Sequence, residues 1–278
     1  MGRLALAGRP HSGDHGRVDQ AATLALLEQG DLAPRALRLG GMARAEGVVI
    51  VSERFWAFAG TDGSLREGTM PTAPNSLRSI PLVRGLVRLS ASLSPLFRRQ
   101  GVARKRERIF LLAAIVAPLA LAFAPSWIGL IAGLATTVAL LGWLLRGRTL
   151  YLHGAEHRAI AALEERRLRE TWHGAASPSR FSLRCGTNFA ALMLPVAVLG
   201  GRVWPLPATA FTPVVVSVLA LALTMELWQL VQTSRSRFAR VFLLPGLALQ
   251  RLTTQEPSDE ETRLALTAVA AVLRRELA

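Results

Sequence analysis

Four apolar runs constrain this chain more than any other feature. Ile109 to Ala124 is 16 residues without a charge, and Trp127 to Leu145 is another 19. At 1.5 Å rise per residue, helices of those lengths reach about 24 and 28 Å, close to a hydrocarbon core of about 30 Å. The short Pro125-Ser126 break between them predicts a helical hairpin. Asn188 to Leu206 is apolar but interrupted by Pro195, Gly200, Gly201 and Arg202, which predicts a third span or a re-entrant segment. Phe211 to Val231 predicts a fourth. The expected fold class is therefore a mainly α membrane protein with about four transmembrane helices and a small cytosolic α+β portion.

Charge agrees with that expectation. Lys+Arg exceeds Asp+Glu by 33 − 19 = 14, and mean hydropathy is +0.32. Basic clusters at Arg98–Arg108, at Arg146–Arg148 and in "SRSRFAR" flank the apolar runs. Basic loops stay on the cytosolic side of a membrane, so both termini are expected there, with the Pro125-Ser126 turn outside. The first residues, "MGRLALAGRPHSGDHGRVDQ", lack an apolar core of signal-peptide length. Membrane lipids are the expected partners, with a membrane protein as a further candidate. The basic run lies directly before an apolar segment, which disfavours a nucleic-acid arm, so no nucleic-acid partner is expected.

The remaining segments follow in order. Residues 1–38 read as a polar lead with one short helix, "VDQAATLALLEQG", stopped at Gly30. Residues 39–80 contain β-branched and aromatic residues and a "TDGS" turn, which predicts a small β-rich segment. Gly40 and Gly41 read as a glycine turn entering its first strand. Residues 81–108 open with Pro81 and carry Leu82, Leu86, Leu89 and Leu93 with Arg84 and Arg88, predicting a basic amphipathic interfacial helix. After the hairpin of 109–145, residues 146–187 form a cytosolic segment and 188–232 the third and fourth membrane segments. Residues 233–278 end in a helix capped by Ser258 and Glu261, with a stripe of Leu264, Val269, Leu273 and Leu277.

The chemistry concentrates in "YLHGAEHRAI". On a helix, Glu156 lies about 60° to one side of His153 and His157 about 40° to the other, so all three share a face. Imidazoles at i and i+4 suit a divalent metal, zinc first, and an adjacent glutamate can act as general base. The competing reading is two polar side chains near a membrane surface, bonded to phosphates or backbone. Two histidines need a further ligand, and two candidates stand out. Cys185, the chain's one cysteine, follows Arg184 and precedes a glycine turn; a lone cysteine is more often a small buried hydrophobe. Glu226 lies inside the fourth apolar run, where an ionisable group needs a reason to be. Glu164 shares the His157 face but sits about 10 Å further along the axis, which suits a supporting role. Arg184 is a candidate for stabilising a developing oxyanion. Glu46, Thr187 and Asn188 complete the candidate polar set.

These residues and the stretches "GGMARAEGV", "IPLVRGLV", "YLHGAEHRAI", "RFSLRCGTNF", "MELWQL" and "LPGLALQRLTTQEPSDEE" make the chain resemble the YqhQ-like family of bacterial membrane proteins. The resemblance covers nearly all of residues 39–278. It implies a polytopic protein of the bacterial plasma membrane with a cytosolic H-G-A-E-H site, in a family predicted to hold metal-dependent enzymes, and it supplies no substrate. Members usually read histidine-proline where this chain has Ser182-Leu183, and glutamine where it has Met42. If that histidine is a ligand in the family, His173 or Cys185 must take its place here. Two functions follow as expectations: a metal-dependent hydrolase at the membrane face, or a non-catalytic membrane factor that binds anionic lipid or a membrane protein complex.

Overall fold

A computed structural model describes residues 19–34, 37–97, 101–121, 126–144, 147–207, 209, 211–234, 236 and 241–278. The expected polar lead, Pro125 of the hairpin turn and the basic residues Arg98, Arg99, Arg146, Arg235, Arg237 and Arg240 lie outside the described residues.

Residues 40–69 form a four-stranded antiparallel meander of β1 (Gly40–Arg44), β2 (Gly47–Val51), β3 (Phe55–Gly60) and β4 (Leu65–Thr69), in that spatial order. The Asp62-Gly63 turn joins β3 to β4, with the Asp62 carboxylate accepting from the Ser64 amide and hydroxyl. Alternation along β2 and β3 sorts the side chains by face. Val48, Ile50, Ala57 and Ala59 enter the main core, while Val49, Trp56 and Phe58 pack with Val102 on the opposite side. Gly40 and Gly41 are part of β1 rather than a turn leading into it.

Three helices close the main core. Helix α1 (Gln20–Leu32) begins at an Asp19 cap and runs past Gly30, which is buried against Leu168 and Leu273 instead of ending the helix. After the sheet come the short α2 (Asn75–Ser79), then α3 (Val83–Phe97), α4 (Lys105–Leu121), α5 (Ser126–Leu144), α6 (Thr149–Glu164), α7 (Leu168–Trp172), α8 (Gly186–Arg202), α9 (Thr212–Thr233), α10 (Leu244–Thr253) and α11 (Asp259–Leu277). Helix α6 lays Leu152, Ala155, Ala159 and Leu163 on the sheet, and α11 adds Leu266, Val269 and Leu273. The capping box at the start of α11 is complete, with Ser258 accepting from the Glu261 amide and the Glu261 carboxylate accepting from the Ser258 amide. Leu277 leaves the expected stripe and is exposed, while Leu266 takes its place in the core.

The expected set of about four membrane spans does not hold. Among the described residues, one helix, Thr212–Thr233, is long and apolar enough to cross a membrane. Helices α4 and α8 are 17 residues each, about 25 Å long, and α4 spends its first turn on Lys105, Arg106, Glu107 and Arg108. Helix α8 also contains Pro195 and ends at Arg202. Helices α8 and α9 form an antiparallel pair: Phe189 meets Trp228, Thr224 donates to Met193 Sδ, and Gly200 faces Val216. Basic helix α3 packs on α9 through Gly85 and Met225, and its Arg84 and Arg88 are paired with Glu226 and Gln229.

Candidate functional site

Helix α6 presents His153 and His157 one turn apart, with ring centroids 4.5 Å from each other. Each ring is fixed by its Nδ1. His153 Nδ1 lies 2.8 Å from the Thr253 carbonyl oxygen at the end of α10, and His157 Nδ1 lies 2.7 Å from that of Arg180. A carbonyl oxygen only accepts, so both Nδ1 atoms carry a proton, and in the neutral imidazole each Nε2 is then the lone-pair atom. His157 Nε2 is buried with no hydrogen-bond partner among the described residues.

Cys185 supplies the third donor. It caps the N-terminus of α8, and its sulfur accepts from the Thr187 amide at 3.5 Å and the Thr187 hydroxyl at 3.2 Å. The same sulfur is 3.3 Å from His153 Nε2. The ligand atoms of His153, His157 and Cys185 all lie within 4.8 Å of one another. Zinc with bonds of about 2.0–2.3 Å in a tetrahedral shell separates its ligands by about 3.3–3.8 Å, so the set fits after a small contraction. Backbone carbonyls holding Nδ1–H are the usual outer support of metal-ligating histidines.

The loop that carries Cys185 is pinned from two sides. Asn188, fully buried, donates from Nδ2 to the Ser182 and Leu183 carbonyls at 3.0 Å each. Gln250, also fully buried, accepts from the Ser182 amide and donates to its carbonyl. Behind the histidines, buried Arg158 reaches Glu256 and the carbonyls of Pro178 and Pro257. Gln250 and Arg158 carried no signal in the sequence beyond lying inside the quoted motifs.

Glu156, between the histidines, is buried against β1. A Cβ on Gly41 would stand 2.8 Å from Glu156 Oε1 and 2.7 Å from the Val49 carbonyl oxygen, so only glycine lets strand and carboxylate meet here. Burial pushes the Glu156 carboxyl up to about 7, against the smaller opposing pull of His153 and of a hydrogen bond from the Ala43 amide. A group with that pKa exchanges a proton readily near neutral pH.

These side chains share one cavity of about 390 Å³. Arg184 lines it and is paired with Glu164, which accounts for both residues. The other expected site residues lie elsewhere. Glu46 pairs with Arg44 at 3.3 Å. Glu226 accepts from Arg84 and from the Leu82 amide at 3.1 Å, where Leu82 holds a left-handed φ of 67°. That carboxylate anchors the start of α3 to α9 and does not join the donor set. His173 is an exposed C-cap of α7 and does not join it either.

Residues 110–275 match the family model described as "Protein of unknown function (DUF1385)". The chain belongs to that family. The match takes in His153, His157 and Cys185 and leaves out the β-meander. The chain is also 34% identical over 140 residues to "Uncharacterized protein YqhQ" of Bacillus subtilis (strain 168). That alignment covers 46% of this chain and 42% of the relative, so the chain spans less than half the length of the protein it matches. No solved structure matches the chain.

Proposed function

We propose that this protein is a metal-dependent hydrolase whose divalent ion, zinc first, is held by His153, His157 and Cys185. The observation that carries the reading is His157 Nε2, a buried ring nitrogen without a partner among the described residues, grouped with His153 Nε2 and the Cys185 sulfur within 4.8 Å. A buried polar atom left alone costs free energy, and a cation removes that cost. Three protein ligands are the usual number at a catalytic zinc, where a fourth position stays open to substrate. Such an ion, when bound, supplies a Lewis acid.

The chain's own groups supply the rest of a hydrolysis. Glu156 accepts the proton of the attacking water and returns it to the leaving group. Thr187 holds the Cys185 sulfur, and the Thr253 and Arg180 carbonyls fix the two imidazoles. Arg184, the one cationic side chain among the described lining residues, is held by Glu164 and meets developing negative charge only by exchanging that partner. Membrane association belongs to the same proposal. Helix α9 carries a long apolar stretch, yet only 22% of that stretch is buried, unlike a core helix.

A second reading rests on a different observation. The same side chains tie α6 to the 180–188 loop and to the end of α10 through their own hydrogen bonds, as a polar lock would. In that reading the protein is a non-catalytic membrane factor that binds anionic lipid or a membrane protein partner.

Zinc titration of purified apoprotein separates the two. The hydrolase reading predicts one equivalent bound by the wild type, lost in His153→Ala, His157→Ala and Cys185→Ala and kept in Glu156→Gln. A folded wild type that binds no divalent ion contradicts it and leaves the lock.

A further inference from the structure

The cavity that holds the donor set has walls of a particular chemistry. Leu39, Met42, Ile160, Ala190 and Leu249 face it, alongside the glycines of β1. The one cationic side chain among its described lining residues, Arg184, is already paired with Glu164. A phosphate or carboxylate headgroup therefore finds no free positive partner among the described lining residues, whereas an uncharged apolar group finds most of the wall.

That wall continues out of the cavity. Ala190 lines it from α8, and Leu194 and Val198 follow at i+4 and i+8 on the same helical face, 70% and 56% exposed. The three positions span about 12 Å along the helix. On α10, Leu249 lines the cavity and is itself exposed, and Leu252, one turn on, is 69% exposed. An apolar track thus runs from beside the donor set onto the uncovered faces of α8 and α10. A compact soluble substrate needs no such track, and a long alkyl chain does.

We infer that the cavity binds the alkyl chain of a membrane lipid, seated between β1 and α8, with the bond to be cut beside His153, His157 and Cys185. This rests on the hydrolase reading for the cut bond, but the alkyl site stands on the wall alone. About 390 Å³ is the size of a small-ligand pocket and holds part of a chain, with the remainder lying along Leu194 and Val198.

Two measurements on the full chain in lipid nanodiscs test it. The first compares octanohydroxamic acid with acetohydroxamic acid on the zinc-loaded protein. Six added methylenes should tighten binding by roughly 100-fold or more, because each buried methylene contributes favourably. Ala190→Trp, which takes up the apolar part of the cavity, should bring the ratio near one while zinc content stays at the wild-type level. Equal affinities in the wild type overturn the inference and leave the metal site standing. The second uses a diazirine-bearing octanol on apoprotein. Labelling should concentrate in 39–43 and 183–198 and disappear in Ala190→Trp, even if zinc fails to bind. Labelling spread evenly over the apolar helices and unchanged by Ala190→Trp overturns the inference.

Discussion

The sheet with α1, α6 and α11 and the set of α4, α5, α8 and α9 draw on the same apolar residues and treat them in opposite ways. In the first region Leu152, Leu163, Leu266 and Leu273 are sealed from solvent. In the second, Leu134, Leu194 and Leu230 stand mostly exposed. An apolar segment is thus either its own fold's core or a surface waiting for a covering, and only packing distinguishes them. The donor set sits where the regions meet: α6 gives the histidines and the start of α8 gives the cysteine.

The largest expected effect probes that contrast directly. Leu273→Ala should lower unfolding stability by about 2–5 kcal/mol, since it opens a cavity in a closed core. Leu134→Ala should stay within about 0.5 kcal/mol, as at an exposed position. Urea unfolding in nanodiscs checks both, and equal losses would erase the distinction between the regions.

A middle effect tests the seam. Asn188→Leu strips the Ser182 and Leu183 carbonyls of their buried donor, which should cost about 1–3 kcal/mol. Because that loop positions Cys185, zinc affinity should fall with stability. Unchanged zinc affinity in a destabilised variant would show that the loop is not what places the sulfur.

The smallest effect lies at the rim of the sheet. Burial pushes the Glu276 carboxyl up, but hydrogen bonds from Arg54 and Ser52 and the charge of Arg54 more than offset it, so its pKa lies below the ordinary value. A depressed folded-state pKa gives stability that is present above the unfolded value, about 4.3, and is lost as pH falls through the folded one. Glu276→Gln should flatten that acid limb of the unfolding midpoint. A wild type and variant with parallel pH profiles would remove Glu276 from the account.

The sequence carried the local geometry of α6 well, because i and i+4 spacing fixes which side chains share a face. The Asp62-Gly63 turn and the β-branched run before it read as strands for similarly local reasons. What it hid was long-range. Glu226 resembles an intramembrane ligand until Arg84, far off in the chain, is seen against it. Gly41 resembles a turn residue until Glu156 packs on it. The four-span expectation failed because uncharged length was counted, whereas α4 starts within its charged residues and α8 ends at Arg202.

Zinc-edge X-ray absorption on the loaded wild type tests the central claim most directly. The account predicts one sulfur at about 2.3 Å and two imidazole nitrogens at about 2.0 Å, with the sulfur lost in Cys185→Ala. A first shell of oxygen and nitrogen alone, unchanged by that substitution, would contradict it.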